Sequence, residues 1–230
     1  MDFIDDVELV IFDCDGVVAD SEPLATRVLR EDLRQRGVEL TLDEVVEKFL
    51  GRSSETISRV LLAEFGLLFD ESAHEAMRLR LFDLFATDLQ AIEGVELLLR
   101  GLPIPYCLAS SSQMERIRRS LQAIRLTSYF DGRIFNAAMV SRGKPAPDLF
   151  LHAASVMNVS PQRCVVIEDS PAGIDAGKRA GMRVIGFTGG GHARGASHRK
   201  SVAAMQPHYI TDSMTEVASL LGLTTGALSA

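Results

Sequence analysis

The 230 residues are 47% hydrophobic, 24% charged and 6% aromatic, with 31 Asp and Glu against 24 Lys and Arg and a formal net charge of -7. At roughly 100 to 200 residues per domain this allows one large domain or a core with one insertion, and it excludes collagen, coiled coil and disorder. A net-acidic chain has no broad basic face for counterion release, which argues against a nucleic-acid partner.

Met1 to Asp6 carries three Asp and no Lys or Arg, the wrong charge for a secretory leader. No apolar run approaches the ~18 residues of a membrane span, so a soluble cytoplasmic protein with no membrane partner is expected. Val7 to Phe12 is a short apolar run rich in β-branched residues that stops at Asp13-Cys14-Asp15-Gly16, the pattern of a strand buried on both faces. Similar runs recur at Tyr106 to Ser110, around Ile134-Phe135, at Cys164 to Glu168 and at Arg183 to Phe187. Helical patterns lie between them at Met114 to Ile124, Pro147 to Met157 and Pro171 to Ala180, the last closed by Gly181. Strands alternating with helices predict an α/β fold, a doubly wound parallel sheet. Cys14, Cys107 and Cys164 are odd in number, lack metal-ligand spacing and read as buried reduced thiols.

The spacing holds one exception. Later strands start about 20 to 30 residues apart, as one crossover helix requires, whereas about 93 residues separate Asp13 from Tyr106. The excess contains amphipathic patterns at Leu24 to Arg36, Leu42 to Leu50, Ile57 to Phe65 and Ala73 to Phe85, with a capping box in Thr41-Leu42-Asp43-Glu44. The expected organisation is therefore a catalytic α/β core of residues 1–19 and 91–230 interrupted by a helical domain of residues 20–90. An insertion at the carboxyl end of a strand is placed to act as a lid, hinging near Ala19 and Ala91. Thr188 to Ser201, with Gly189-Gly190-Gly191-His192 and His198, reads as a mobile surface loop with exposed histidines.

Four acids fall at strand ends: Asp13 and Asp15 after the first strand, Glu168 and Asp169 after the Cys164 strand. If the strands are neighbours, the carboxylates converge, and like charges about 4 Å apart repel by ~1 kcal/mol in water and ~4 at an effective dielectric of 20. Such a cluster is partly protonated or holds a cation, most economically Mg²⁺. An EF-hand is excluded by Val17 where a third ligand belongs, and a P-loop by Pro145 after Gly143-Lys144.

Phe12-Asp13-Cys14-Asp15-Gly16-Val17, Ala109-Ser110-Ser111-Ser112, Lys144-Pro145-Ala146-Pro147-Asp148 and Glu168-Asp169-Ser170-Pro171-Ala172-Gly173 resemble the four ordered motifs of the haloacid dehalogenase superfamily. The helical insertion is similar to the small cap of one of its subclasses, and the chain looks closest to the 6-phosphogluconate phosphatase and β-phosphoglucomutase groups. The resemblance implies that Asp13 is a nucleophile forming an aspartyl-phosphate, that Asp15 is the general acid and base, and that Ser110 and Lys144 hold phosphoryl oxygens. It implies Mg²⁺ at Asp13, the backbone carbonyl of Asp15 and Asp169, with Glu168 a direct or water-mediated ligand, and substrate contacts at Ser111, Lys144, Gly51 and Arg52. The implied partner is a small phosphorylated metabolite, bound by a monomer. Asp15 supplies a second acid that the namesake dehalogenases lack, which speaks against halide displacement. Ala25 stands where the mutase group carries a histidine, so hydrolysis is favoured over the mutase alternative; a non-catalytic phosphate-binding module is the alternative of another class.

Overall fold

The computed structural model describes residues 6–49, 54–194 and 196–223. The chain forms two compact units, Met1–Asp20 with Gln90–Ala230, and Ser21–Leu89. In chain order, β1 (Leu9–Phe12) is followed by helices α1 (Glu22–Gln35), α2 (Leu42–Phe49), α3 (Ser54–Phe65) and α4 (Glu71–Asp88). Then come α5 (Val95–Gly101), β2 (Tyr106–Ser110), α6 (Met114–Ala123), β3 (Ile134–Asn136), α7 (Asp148–Val156), β4 (Cys164–Glu168) and α8 (Pro171–Arg179). The chain closes with β5 (Arg183–Phe187), α9 (Ala196–Ala204), β6 (Tyr209–Thr211) and α10 (Met214–Leu220).

The six strands form one parallel sheet in the order β3-β2-β1-β4-β5-β6. Its strands are continuous apolar runs because both faces are covered. Val10 and Phe12 of β1 face a layer with Leu98 of α5, Ile117 of α6 and Val217 of α10, while Leu9 and Ile11 face Leu149 of α7 and Ile174 of α8. Each such side chain contributes about 1.5 to 3 kcal/mol of burial. This is the doubly wound architecture expected from the alternation of strands and helices. The chain runs outward from β1 through β2 to β3, then returns to build β4 on the other side, so β1 and β4 flank the topological switch point where open α/β sheets bind ligands.

Three features differ from expectation. The segment Thr188 to Ser201 is not a surface loop: Gly191–Arg194 forms a 3-10 turn and α9 follows, with Ala193 and Val202 fully buried. The edge strand β6, three residues long, is too short to show a period. Helix α5 fills the return from the helical unit and packs Val95, Leu98 and Leu99 into the core. The three cysteines are free and buried, and burial pushes the Cys164 thiol up to about 11.

In the helical unit, Leu29 and Leu33 of α1 pack with Val45 and Phe49 of α2, Leu61 of α3 and Ala73 of α4. The capping box is formed: Thr41 N donates to Glu44 Oε2 at 2.8 Å, and Glu44 N donates to Thr41 Oγ1 at 3.3 Å. Asp32, buried on α1, accepts from Arg36 at 2.7 Å and from Arg80 of α4. Among the described residues no helix is long and apolar enough to cross a membrane.

Candidate active site

The site grows from the carboxyl ends of β1, β2 and β4. Asp13 continues β1 by one residue, its N–H donating to the Ile167 carbonyl of β4 at 3.0 Å. The chain then turns sharply: Val18 and Ala19 both donate to the Cys14 carbonyl at 2.9 Å, and Gly16 adopts φ +82°, a conformation that favours glycine. A side chain at Gly16 would also overlap the Asp169 carboxylate.

Lys144 lies ahead of α7, and its side chain is only 3% exposed. Its Nζ donates to Asp13 Oδ1 at 2.6 Å, Glu168 Oε1 at 2.7 Å and the Ala109 carbonyl at 3.0 Å, which occupies all three ammonium protons. Glu168 is anchored from its other oxygen: Oε2 accepts from Ser170 N at 2.8 Å and Ser170 Oγ at 2.9 Å. Ser170 is in turn the N-cap of α8, its Oγ accepting from Gly173 N at 3.0 Å. Gly173 is required because a Cβ there would lie within the Glu168 carboxylate.

Asp15 has a separate clamp. Ser112 Oγ donates to Oδ2 at 2.6 Å, and Arg116 of α6 donates to Oδ1 from Nη2 at 2.8 Å and Nε at 3.2 Å. Ser112 is itself positioned, donating its N–H to Ser110 Oγ at 3.0 Å and accepting at its carbonyl from Asn136 Nδ2 at 3.3 Å. Asp169 faces two imidazoles: His192 Nε2 is 2.9 Å from Oδ2, and His198 Nε2 is 2.9 Å from its backbone carbonyl.

Burial raises the Asp13 carboxyl well above its usual range, and the charges of Glu168, Asp169 and Asp15 add to the rise; the Lys144 ammonium opposes it without reversing it. Burial alone would lower Lys144, but Asp13 and Glu168 outweigh it and keep the ammonium charged. Four carboxylates thus face two cations, Lys144 and Arg116, at one sheet edge. The excess negative charge and the oxygen donors of Asp13 and Asp169 suit a hard divalent cation such as Mg²⁺. Burial, and after it the neighbouring His192, lowers His198.

Residues 7–181 match the family model of haloacid dehalogenase-like hydrolases. The chain belongs to the haloacid dehalogenase-like hydrolase family. It is 33% identical over 195 residues to the 6-phosphogluconate phosphatase of Escherichia coli, covering 84% of this chain and 88% of that one. A haloacid dehalogenase-like protein from Agrobacterium tumefaciens superposes with a TM-score of 0.85 at 34% identity, over 94% of this chain and 98% of that chain. A family hydrolase from Deinococcus radiodurans, solved with bound phosphate and sodium, gives 0.78 at 31% identity over 96% and 98%.

Within this hydrolase, Asp13, Lys144 and Glu168 form one buried cluster, and Asp15, Ser110 and Asp169 border it. Lys144 spends its donors on protein oxygens, and Ser110 supports Ser112. Ser111 is exposed beside them. Gly51 and Arg52 lie outside the described residues. The expectation of exposed histidines is overturned: His192 is buried and His198 half-buried, because Gly16 and Gly190 leave room for the His192 ring. Sequence reasoning did not single out Ser112 as a clamp, or Arg116 at all. Arg116 is one of three arginines along α6, and only the fold shows which one reaches Asp15.

Proposed function

We propose that this hydrolase is a Mg²⁺-dependent phosphomonoesterase that cleaves a small phosphorylated metabolite, a sugar or sugar acid phosphate, through an aspartyl-phosphate on Asp13. The observation that carries the reading is the pairing of Asp13 with the Lys144 ammonium, 2.6 Å away and buried at the switch point, with a second acid two residues on. The ammonium opposes the rise that burial imposes on the Asp13 carboxyl and so favours its ionised, nucleophilic form. An Asp13 oxygen attacks phosphorus as the bond to the ester oxygen breaks, and Asp15 gives its proton to that leaving oxygen. Asp15 then takes a proton from water as the water oxygen attacks phosphorus, which releases inorganic phosphate and restores Asp13. The Ser112 and Arg116 clamp fixes where Asp15 can deliver the proton.

Mg²⁺ would be held by Asp13, the Asp15 carbonyl and Asp169, and would supply neutralisation of phosphoryl charge. Glu168, whose two oxygens accept from Lys144 and Ser170, is assigned a water-mediated part. The substrate class rests on likeness to the 6-phosphogluconate phosphatase and on Ala25 in place of the mutase histidine. We assign the chemistry to the α/β unit, and selectivity among phosphate esters to the helical unit. The test is phosphate release over a panel of sugar and sugar acid phosphates with and without Mg²⁺, for the parent and for Asp13→Asn. Release that needs Mg²⁺ and vanishes in the variant supports the reading. An isomeric sugar phosphate with negligible free phosphate would replace it with the mutase, and no turnover on any ester would leave a binding module.

A further inference from the structure

The charge pattern described above accounts for oxygen ligands only, yet two imidazoles converge on Asp169. His192 Nε2 stands 2.9 Å from Asp169 Oδ2, and His198 Nε2 stands 2.9 Å from the carbonyl of the same residue. The two rings meet edge to face with centroids 4.6 Å apart. One ligand atom from each of Asp169, His192 and His198 lies within 4.8 Å of the others. Donors about 2.0 to 2.2 Å from a common cation are separated by roughly 3 to 4.4 Å, so small side-chain rotations suffice to bring all three onto one ion.

The surroundings are built for this arrangement. A Cβ on Gly190 would come within 2.7 Å of His192 Cε1, and one on Gly16 would come equally close. Two glycines from distant parts of the chain therefore form a slot that holds the His192 ring against Asp169. Next to His192, Gly191 N donates to Asp20 Oδ1 at 2.8 Å, which ties this turn to the chain that follows the Gly16 turn. A hydrogen bond to orient Asp169 needs one imidazole. Two imidazoles and one carboxylate make a donor set with the borderline softness that favours Zn²⁺, Co²⁺ or Ni²⁺ over Mg²⁺.

We propose that Asp169, His192 and His198 form a nitrogen-bearing site for one borderline divalent cation of the Zn²⁺, Co²⁺ and Ni²⁺ class, at the edge of the Asp13 centre. It shares Asp169 with the Mg²⁺ site of the phosphatase reading and rests on that reading only for its catalytic context. The site gives the hydrolase a metal preference that an all-oxygen centre lacks.

The test is titration of the metal-free protein with Co²⁺, without substrate, read by visible absorption and by calorimetry. Two imidazoles with a carboxylate should give d–d bands well above those of six-coordinate oxygen-bound Co²⁺, and Zn²⁺ should displace the ion at far lower concentration than Mg²⁺. His192→Ala and His198→Ala should each weaken Co²⁺ binding at least tenfold and diminish the bands. His198→Asn, at a half-buried position, serves if His192→Ala does not fold. A weak oxygen-type spectrum in the parent, or Co²⁺ affinity unchanged in His198→Asn, would overturn the proposal and leave the histidines as hydrogen-bond partners. An inactive protein that still binds Co²⁺ through both histidines sinks the phosphatase reading alone; an active one whose spectrum ignores them sinks this proposal alone.

Discussion

Replacing Lys144 by Met keeps the unbranched stem of the side chain and removes the charge at the centre of the site. At 2.6 and 2.7 Å, each of its two ion pairs is worth roughly 6 kcal/mol of attraction at an effective dielectric of 20. Most of that is offset by the cost of taking three ions out of water, and deleting one partner of a buried pair nets a loss of about 3 to 5 kcal/mol. The loss must depend on pH. Without the ammonium, Asp13, whose folded-state pKa burial already raises, loses the charge that lowers it, and it stays buried beside Glu168. Groups shifted in that direction favour the folded state below the unfolded pKa and disfavour it as pH rises through the folded pKa. The variant should therefore lie about 3 to 5 kcal/mol below the parent at pH 7.5 and closer to it at pH 5.5. The assay is urea unfolding followed by circular dichroism at both values, in chelator so that no cation replaces the ammonium. Equal stability of parent and variant at pH 7.5, or a deficit that does not shrink on acidification, would refute the view that Lys144 offsets the charge of this cluster.

Arg116→Ala removes two hydrogen bonds from Asp15 and should lower kcat about tenfold to a hundredfold while KM changes little, because the clamp aims a proton and does not bind substrate; steady-state kinetics on the best ester of the panel decide it, and a pure KM effect would count against the assignment. Gly173→Ala pushes a methyl into the Glu168 carboxylate and should cost at least ~2 kcal/mol in urea unfolding, unlike Gly132→Ala, where a Cβ meets nothing within 4 Å and the cost is only that of its φ of +70°. His208 accepts from Val184 N at 3.0 Å through Nδ1, and burial together with Lys178 and Arg183 lowers its pKa. A depressed folded pKa gives stability that is complete above the unfolded value near 6.5 and is lost as pH falls below it, so His208→Leu should flatten the stability profile on the acid side of about pH 6.5, an effect absent if the wild-type and variant profiles run parallel.

Much of the α/β core was legible because burial on both faces leaves an unbroken apolar run, and Tyr106 to Ser110, Cys164 to Glu168 and Arg183 to Phe187 are strands with the expected bounds. The helix stop after α8 was legible where a glycine must take positive φ, at Gly181. The acids were legible as a group because they end adjacent parallel strands. The His192 loop was not, since its local composition is that of an exposed turn and its burial needs the distant Gly16, which with Gly190 lets backbone and ring approach. Three consecutive glycines before a histidine were the available signal, and close approach rather than flexibility was their meaning. Arg116 and Ser112 were hidden for a different reason: each matters through one partner far away in sequence, and no local pattern distinguishes them from Arg118, Arg119 or Ser111.

If Asp13 carries the phosphoryl group, as proposed, the aspartyl-phosphate can be trapped. The parent is mixed with a good ester and Mg²⁺, quenched in acid within the first turnovers, digested and examined by mass spectrometry. One phosphoryl group is expected on the peptide containing Asp13, stable in acid and removed by mild base or hydroxylamine, and absent in Asp13→Asn, since an amide is too poor a nucleophile to attack phosphorus. Full turnover with no acyl phosphate at Asp13, or turnover that survives in Asp13→Asn, would contradict the proposal.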